Sequence, residues 1–260
     1  MGNYVLGYHD IGYNAVFSGG VWRDDLTPSA MLTRPLLTAV ARTLDLSELV
    51  LDVTLQESID IQVVGICNHN MSINATYQWQ CFSDVDRLNL VYDSGVIAAY
   101  AYFDALIHNT TCDALDAPIT DIFWRLTIND SNTDGFIEIG RLFMGQRFIT
   151  EQNMEYGLNI GVDTTNSQME QSTVGIEAFV QSVKKRTATF SHILTSRDEG
   201  TEHLKYQIRE GVSQACLFEF DPDNKDEGVR TFIGRNESLS PLDYPQFNVN
   251  NYGFNIREII

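Results

Sequence analysis

Asp130, Asn132 and Asp134 stand at alternate positions and are followed by Gly135. That is the first half of a calcium-loop pattern, in which side-chain oxygens at alternate positions wrap one cation. The twelfth position of such a loop needs a bidentate acid, and here it is Arg141. A cation there opposes metal binding. The same residues fit a hairpin between strands 123–128 and 136–142, with Asp134-Gly135 at the bend. A second acidic turn, Asp221 to Glu227, contains Pro222 and Lys225 and reads as a solvated loop. Among His9, His69, His108, His192 and His203, only His69 lies in a polar cluster, Asn68-His69-Asn70. A hydrolase would pair such a base with a nucleophile, and Ser72 is the nearest hydroxyl. The plainer reading is a loop tied down by its own side chains. Trp22 sits in a turn-like context, Gly19-Gly20-Val21-Trp22-Arg23. An indole face there can stack on the apolar side of a sugar ring, so Trp22, His69 and Asn70 form a candidate saccharide-binding set. Trp79, Tyr92 and Trp124 are aromatics in strand contexts and are expected in the core. No GxSxG, HExxH or Walker loop occurs. Accordingly no catalytic residue, no cofactor and no enzymatic activity is assigned.

These groups must be positioned mostly by β-strands. Leu49, Leu51, Val53 and Leu55 alternate with Val50, Asp52 and Thr54. Tyr77, Trp79 and Cys81 alternate with glutamines, and Trp124, Leu126 and Ile128 with Arg125 and Thr127. Period-two patterning of this kind gives each strand one core face. Asp93-Ser94-Gly95, Asp134-Gly135, Asp221-Pro222-Asp223-Asn224 and Glu227-Gly228 supply turns. Further strands are expected near 158–162, 175–183, 188–193, 215–220, 229–234 and 252–258. One helix is expected over 196–210: Ser196 caps it, Glu199 completes a capping box, and Gly211 stops it. Leu204, Ile208 and Val212 make its apolar stripe. A short helical turn is expected at 36–41. The polar stretch 145–153 reads as a domain boundary.

The chain has 260 residues, 43% of them apolar, which suffices for one large domain or two of ordinary size. Its formal charge of −18 disfavours general binding to phosphate backbones. No apolar run approaches the ~18 residues that cross a bilayer, so no membrane insertion is expected. The first residues lack the basic start and apolar middle of a secretory signal, and Leu6 breaks the myristoylation pattern. Cys67, Cys81, Cys112 and Cys216 form no CxxC pair and read as reduced, buried thiols of a cytoplasmically assembled protein. The Asn-x-Ser/Thr triplets at Asn70, Asn74, Asn109, Asn129 and Asn236 would then carry no glycan.

Several motifs occur in a fixed order. They are Ile66-Cys67-Asn68-His69-Asn70-Met71-Ser72, Ala75-Thr76-Tyr77-Gln78-Trp79, Tyr92-Asp93-Ser94-Gly95, Phe123-Trp124-Arg125-Leu126-Thr127-Ile128, and Asp134-Gly135-Phe136-Ile137-Glu138-Ile139-Gly140-Arg141-Leu142-Phe143-Met144-Gly145. The set resembles tail-tip and baseplate proteins of long-tailed, siphophage-type bacteriophages. The resemblance covers about residues 20–148. It implies a mostly β chain: an N-terminal arm at 1–20, a galactose-binding-like (discoidin-type) jelly-roll sandwich at 21–148, and a second β-sandwich at 149–260 with the helix at its flank. By the order of its elements the last unit resembles tail-tube and distal-tail domains. The implied role is structural. It is a virion protein forming a ring homo-oligomer, a hexamer, around the tail channel, with the polar segments 1–20 and 146–152 ordering on assembly. Its implied partners are the tail tube, the baseplate hub, the tape-measure protein and a host-surface saccharide, while DNA slides through without specific binding. The alternative is a carbohydrate-binding module of a polysaccharide-degrading enzyme. That would need a carboxylate pair drawn from Glu155, Glu170, Glu177, Glu219 and Asp221.

Overall fold

The computed structural model describes residues 4–32, 39–99, 109–155, 157–163, 168–171, 177–180, 183–223 and 228–260, with backbone alone for 168–171 and 177–180. The expected alternation builds the first sheet. It runs β2 (Val16–Gly19), β4 (Leu49–Thr54), β11 (Phe123–Asn129), β6 (Thr76–Phe82), β7 (Leu90–Asp93), with β8 (Ile97–Ala98) also on β6. Register aligns the apolar positions across three strands: Leu126 faces Leu51 on one side and Trp79 on the other, and Trp124 faces Val53 and Cys81. All six are buried. The outer face keeps the charges, where Arg125 Nε donates to Asp52 Oδ1 at 2.7 Å.

The second sheet has twelve strands. Its main path is β10 (Asp113–Ile119), β5 (Ile61–His69), β12 (Glu138–Arg147), β1 (Val5–Tyr8), β17 (Cys216–Glu219), β18 (Thr231–Asn236), β20 (Val249–Glu258), β16 (Lys185–Ser196) and β13 (Asn159–Asp163). Three short strands attach to it: β3 (Ala41–Arg42) to β12, β9 (Asn109–Thr110) to β5, and β19 (Asp243–Gln246) to β20. A separate pair is formed by β14 (Gln168–Gln171) and β15 (Glu177–Val180). One end of the long sheet packs on the first sheet through Ile61, Val64, Ile66, Ile139, Leu142 and Met144, making a sandwich. The other end carries an aromatic core of Phe148, Phe190, Phe218, Phe232, Tyr252 and Phe254, covered by α1 (Arg197–Glu210). A third cluster, with Val5, Val63, Phe143, Leu217 and Ile233, joins the two. Strands β5 and β12 are buried on both faces for this reason, which explains their near-continuous apolar sequences.

The structure corrects the expected N-terminal arm. Residues 5–8 are an interior strand, pairing Gly7 with Arg147 on one side and Leu6 with Phe218 on the other. Tyr4 and Leu6 enter the aromatic core while Val5 enters the joining cluster. From β1 the chain leaves the second unit to build the first sandwich, and it returns through β12. Within the stretch 145–153, β12 continues through Arg147 and Phe148 N donates to Leu6 O at 2.8 Å, so the irregular segment begins only after Phe148.

A second correction concerns the turn before Glu138. Strands β11 and β12 belong to different sheets, so residues 130–137 cross between layers and close no hairpin. Strand expectations hold near β13, β16, β17, β18 and β20. Of the strand expected at 175–183, residues 175–176 and 181–182 lie outside the described residues, as do 36–38 of the helical turn and 224–227 of the second acidic turn.

The helix begins at the expected cap, with Glu199 N donating to Ser196 Oγ at 3.2 Å, but the Glu199 carboxylate accepts from Glu151 N and Tyr252 Oη instead of completing a capping box; the helix ends at Gly211 with φ +55°. Its outward face is the reverse of the expected one. Leu204, Ile208 and Val212 are 43%, 79% and 47% exposed, while His203, Tyr206 and Glu210 point inward. The facing layer is aromatic and polar, so rings and hydrogen bonds fill it: His203 stacks on Tyr252 at 4.2 Å, and Tyr206 Oη donates to Asn236 Oδ1 at 3.0 Å. Gly200 allows this approach, because a Cβ there would stand 2.6 Å from Asn250 Nδ2. Two substitutions separate the core beneath the helix from its exposed surface. Leu6→Ala should cost about 2–5 kcal/mol through a core cavity, and Ile208→Ser should stay within about 0.5 kcal/mol of wild type, both read from urea unfolding.

Candidate functional site

Four loops meet at one end of the first sandwich. They are 19–26, 43–48, 70–75 and 130–137, placed there because β4 starts at Leu49, β6 at Thr76 and β12 at Glu138, while β11 ends at Asn129. Gly19 and Gly20, at φ +83° and +69°, turn the first loop sharply. Side chains are barred there, since a Cβ on Gly20 would lie 2.6 Å from Trp22 Nε1. Trp22 folds back so that Nε1 donates to Gly19 O at 2.8 Å, and its ring is half-buried against the first core. Beside it opens a cleft of about 240 Å³, lined chiefly by Gly20, Val21, Thr43, Asp45, Ser47 and Glu48. Asp45 Oδ1 accepts from Ser47 N at 2.9 Å, and the Ser47 backbone and hydroxyl donors hold its carboxyl below the usual range. Glu48 Oε1 accepts from Asn129 Nδ2 at 3.2 Å. The lining offers two carboxylates and two hydroxyls and no cationic side chain. Such a surface accepts hydrogen bonds from hydroxyl or ammonium donors and repels anions.

The expected polar cluster lies next to this cleft and is committed to holding it. Asn70 Oδ1 accepts from Glu138 N at 2.7 Å, and Nδ2 donates to Asp134 Oδ2 at 2.9 Å and Phe136 O at 3.1 Å. His69 is buried, and its Nδ1 accepts from Met71 N at 3.2 Å. Burial pushes its imidazole down to about 3, so the ring is neutral at physiological pH. Ser72 gives its N–H and hydroxyl to Asp130, at 3.0 and 2.5 Å, and holds no contact with His69 that would activate it. Of the three candidate saccharide residues, Trp22 and Asn70 are part-exposed and His69 is buried; the Asn70 amide is spent on Asp134, Phe136 and Glu138.

The candidate cation ligands come together, but against N–H donors. Asp130 also accepts from Ser131 N and Asn132 Nδ2, at 2.7 and 3.0 Å. Asn132 Oδ1 accepts from the N–H groups of Asp134 and Gly135, both at 3.1 Å. Among the described residues no group of three His, Cys, Asp or Glu side chains is placed to hold a metal ion. Arg141 is turned away and paired with Asp10 at 2.5 Å, deep in the molecule. Trp79 and Trp124 are fully buried, and Tyr92 packs on Trp124 at 6.1 Å. Glu219 is buried in β17 and Glu155 exposed after β12, while the side chains of Glu170 and Glu177 lie outside the described residues. Four cysteines are free and buried. Sequence reasoning missed Asp45 and Glu48. Their only local signal was a short polar run between two strands, Leu44-Asp45-Leu46-Ser47-Glu48.

No family model and no curated protein matches this chain. Solved structures similar to it include the galactose-bound family 32 carbohydrate-binding module of C. perfringens NanJ, at 16% identity and TM-score 0.41, covering 54% of this chain and 99% of that one. A chitosan-binding module of a Paenibacillus chitosanase/glucanase matches at 11% identity and TM-score 0.42, covering 54% and 100%. A Streptococcus pneumoniae fucose-binding module matches at 8% identity and TM-score 0.38, covering 54% and 98%.

The loop network generates its own test. Asp130→Ala strands the Ser72 donors and should cost about 1–3 kcal/mol. Calcium should not raise the melting temperature of wild type or variant; a calcium-dependent rise in wild type would contradict the donor assignment.

Proposed function

We propose that this protein is a non-catalytic structural subunit of a siphophage-type tail tip whose inserted sandwich presents a saccharide-contacting end. One observation carries the reading. The chain enters and leaves the sandwich through neighbouring strands, Tyr8 pairing with Gln146. The loop cleft lies at the opposite end of the ten-residue β12, about 30 Å away at a strand's rise per residue. A module anchored by paired strands at its base and carrying a polar cleft at its tip is built for presentation. The ordered motif set is what supports reading that presentation as part of a tail tip. An acidic chain suits a ring, here a hexamer, through which phosphate backbones must slide without sticking. Tail tube, baseplate hub and tape-measure protein are its proposed neighbours, and the virion its proposed location. In the cleft, Asp45 and Glu48 accept from sugar hydroxyls while Trp22 borders them. Neutral or amino sugars fit this lining better than sialic or uronic acids. A carbohydrate-binding module of a polysaccharide-degrading enzyme is the second reading, favoured by the cleft without the motif set.

Two measurements test the parts separately. On a glycan array, the full chain should bind neutral or amino sugars, and the Asp45→Ala/Glu48→Ala double variant should lose about tenfold or more, the equivalent of one good hydrogen bond to a charged group. Silence of the folded wild type across host-envelope saccharides defeats the sugar reading. Electron microscopy of the purified protein should display closed rings, and a particle fraction free of the protein defeats the tail reading.

A further inference from the structure

At the base of the sandwich, helix α1 closes on the turn that carries the chain from β1 into the inserted module. His9, the first residue after β1, has a left-handed backbone at φ +52°. Such a conformation is costly for a non-glycine residue and marks a constrained point. The next residues are pinned on one side by β12. Ile11 N donates to Met144 O at 2.9 Å, and Asp10 Oδ1 accepts from Gly12 N and Met144 N at 2.9 and 3.1 Å. Gly145 passes so close beneath that a Cβ would stand 2.4 Å from Tyr8 O. On the other side stands the last residue of α1. Glu210 is 4% exposed and accepts the backbone N–H of His9, yet its Oε1 has no hydrogen-bond partner. It borders a crevice of about 80 Å³ with His9, Asp10, Tyr13, Arg141 and Arg209.

We propose that Glu210 is a pH-operated latch, sealing α1 onto the hinge of the inserted sandwich when protonated and releasing it when ionised. The groups facing it explain why. From the β1 side come Tyr8, His9 and Asp10. Asp10 carries a charge of the same sign, and its counter-ion Arg141, from β12, is already committed to it. Burial and the neighbouring Arg209 guanidinium lower the His9 imidazole, so it is neutral near pH 7. From β17 comes Cys216, a buried thiol whose pKa burial raises, and from α1 itself come Tyr206 and Arg209. Arg209 is shared, with Nη1 donating to Gln146 Oε1 at 2.9 Å. Burial, with help from Asp10, pushes the Glu210 carboxyl up to about 7 from an ordinary 4.5. A raised acid contributes its stability in full below the unfolded value and loses it as pH climbs through the folded one. The seam is therefore tightest in mild acid, weakens from about pH 4.5 to 7, and is loose above. Water entering the crevice then solvates the orphan oxygen, and the last turn of α1 lifts from residues 9–12. This device stands apart from the saccharide and tail readings.

Hydrogen exchange on the full chain tests it, with rates corrected for intrinsic pH dependence. Between pH 6 and 8, protection of peptides covering 9–14 and 206–214 should fall about tenfold in wild type, the factor for one proton released near pH 7. Glu210→Gln should abolish the fall, and His9→Asn, which tolerates the same backbone, should retain it. Equal falls in wild type and Glu210→Gln would overturn the proposal. If that variant does not fold, carbon-detected NMR titration of wild type decides, since a Glu210 carboxyl titrating near 4.5 overturns the latch and one near 7 sustains it.

Discussion

The pairing of β1 between β12 and β17 is the constraint on which the other features depend. Four residues, Val5–Tyr8, supply the hydrogen-bonded bridge between a sandwich and an aromatic core that are otherwise built from separate stretches of chain. The alternation of a strand divides their side chains between two environments: Tyr4 and Leu6 go one way and Val5 the other. A register slip of one residue would exchange these faces and leave both interiors unfilled. Contacts between residues so distant in sequence form late and at high entropic cost. Once formed, they make one sheet of two units, which is why the inserted sandwich projects at a set direction.

Buried ion pairs reinforce the same joints. Arg141 meets Asp10 across 131 residues, with Nε to Oδ2 at 2.7 Å. Arg186, at the start of β16, meets Glu258 at the end of β20, and its Nη1 donates to Gly228 O and Thr231 O. Removing one member of such a pair leaves a buried charge uncompensated, whereas replacing both by apolar residues is often harmless. Their value here is geometric: each guanidinium accepts only one arrangement of the strands that surround it. Glu210 differs because its crevice supplies one backbone donor and leaves one oxygen without a partner.

At the distal end the chemistry is divided between scaffolding and surface. Asn70, Asp130, Asn132 and Asp134 spend their hydrogen-bonding capacity on each other and on backbone groups. Such a network keeps two crossing loops in one conformation. The carboxylates of Asp45 and Glu48, beside Trp22, are the groups of the saccharide site proposed above. Rigid loops bearing a few free acceptors lose little entropy on binding.

Strand patterning, the helix caps at Ser196 and Gly211, and the burial of Trp79 and Trp124 were legible in the sequence, because each depends on neighbours within a few residues. The clustering of Asn70 with Asp134 was not legible, because 64 residues separate them. What local pattern could not reveal was partner choice across long separations. Period-two alternation is the same whether adjacent strands pair or cross to another layer, so β11 and β12 read as a hairpin although they lie in different sheets. An amphipathic stripe shows which helix face is apolar, not what the opposing layer requires, and the aromatic and polar surface of β16 and β20 selected His203 and Tyr206 over Leu204 and Ile208. Sequence by itself determined the kind of element and its local ends, since these follow from backbone sterics and short-range hydrogen bonds. Tertiary structure alone decided that residues 4–8 belong to the middle of a sheet and that Glu210 meets His9, because those contacts exist only when distant segments are brought together and water is excluded between them.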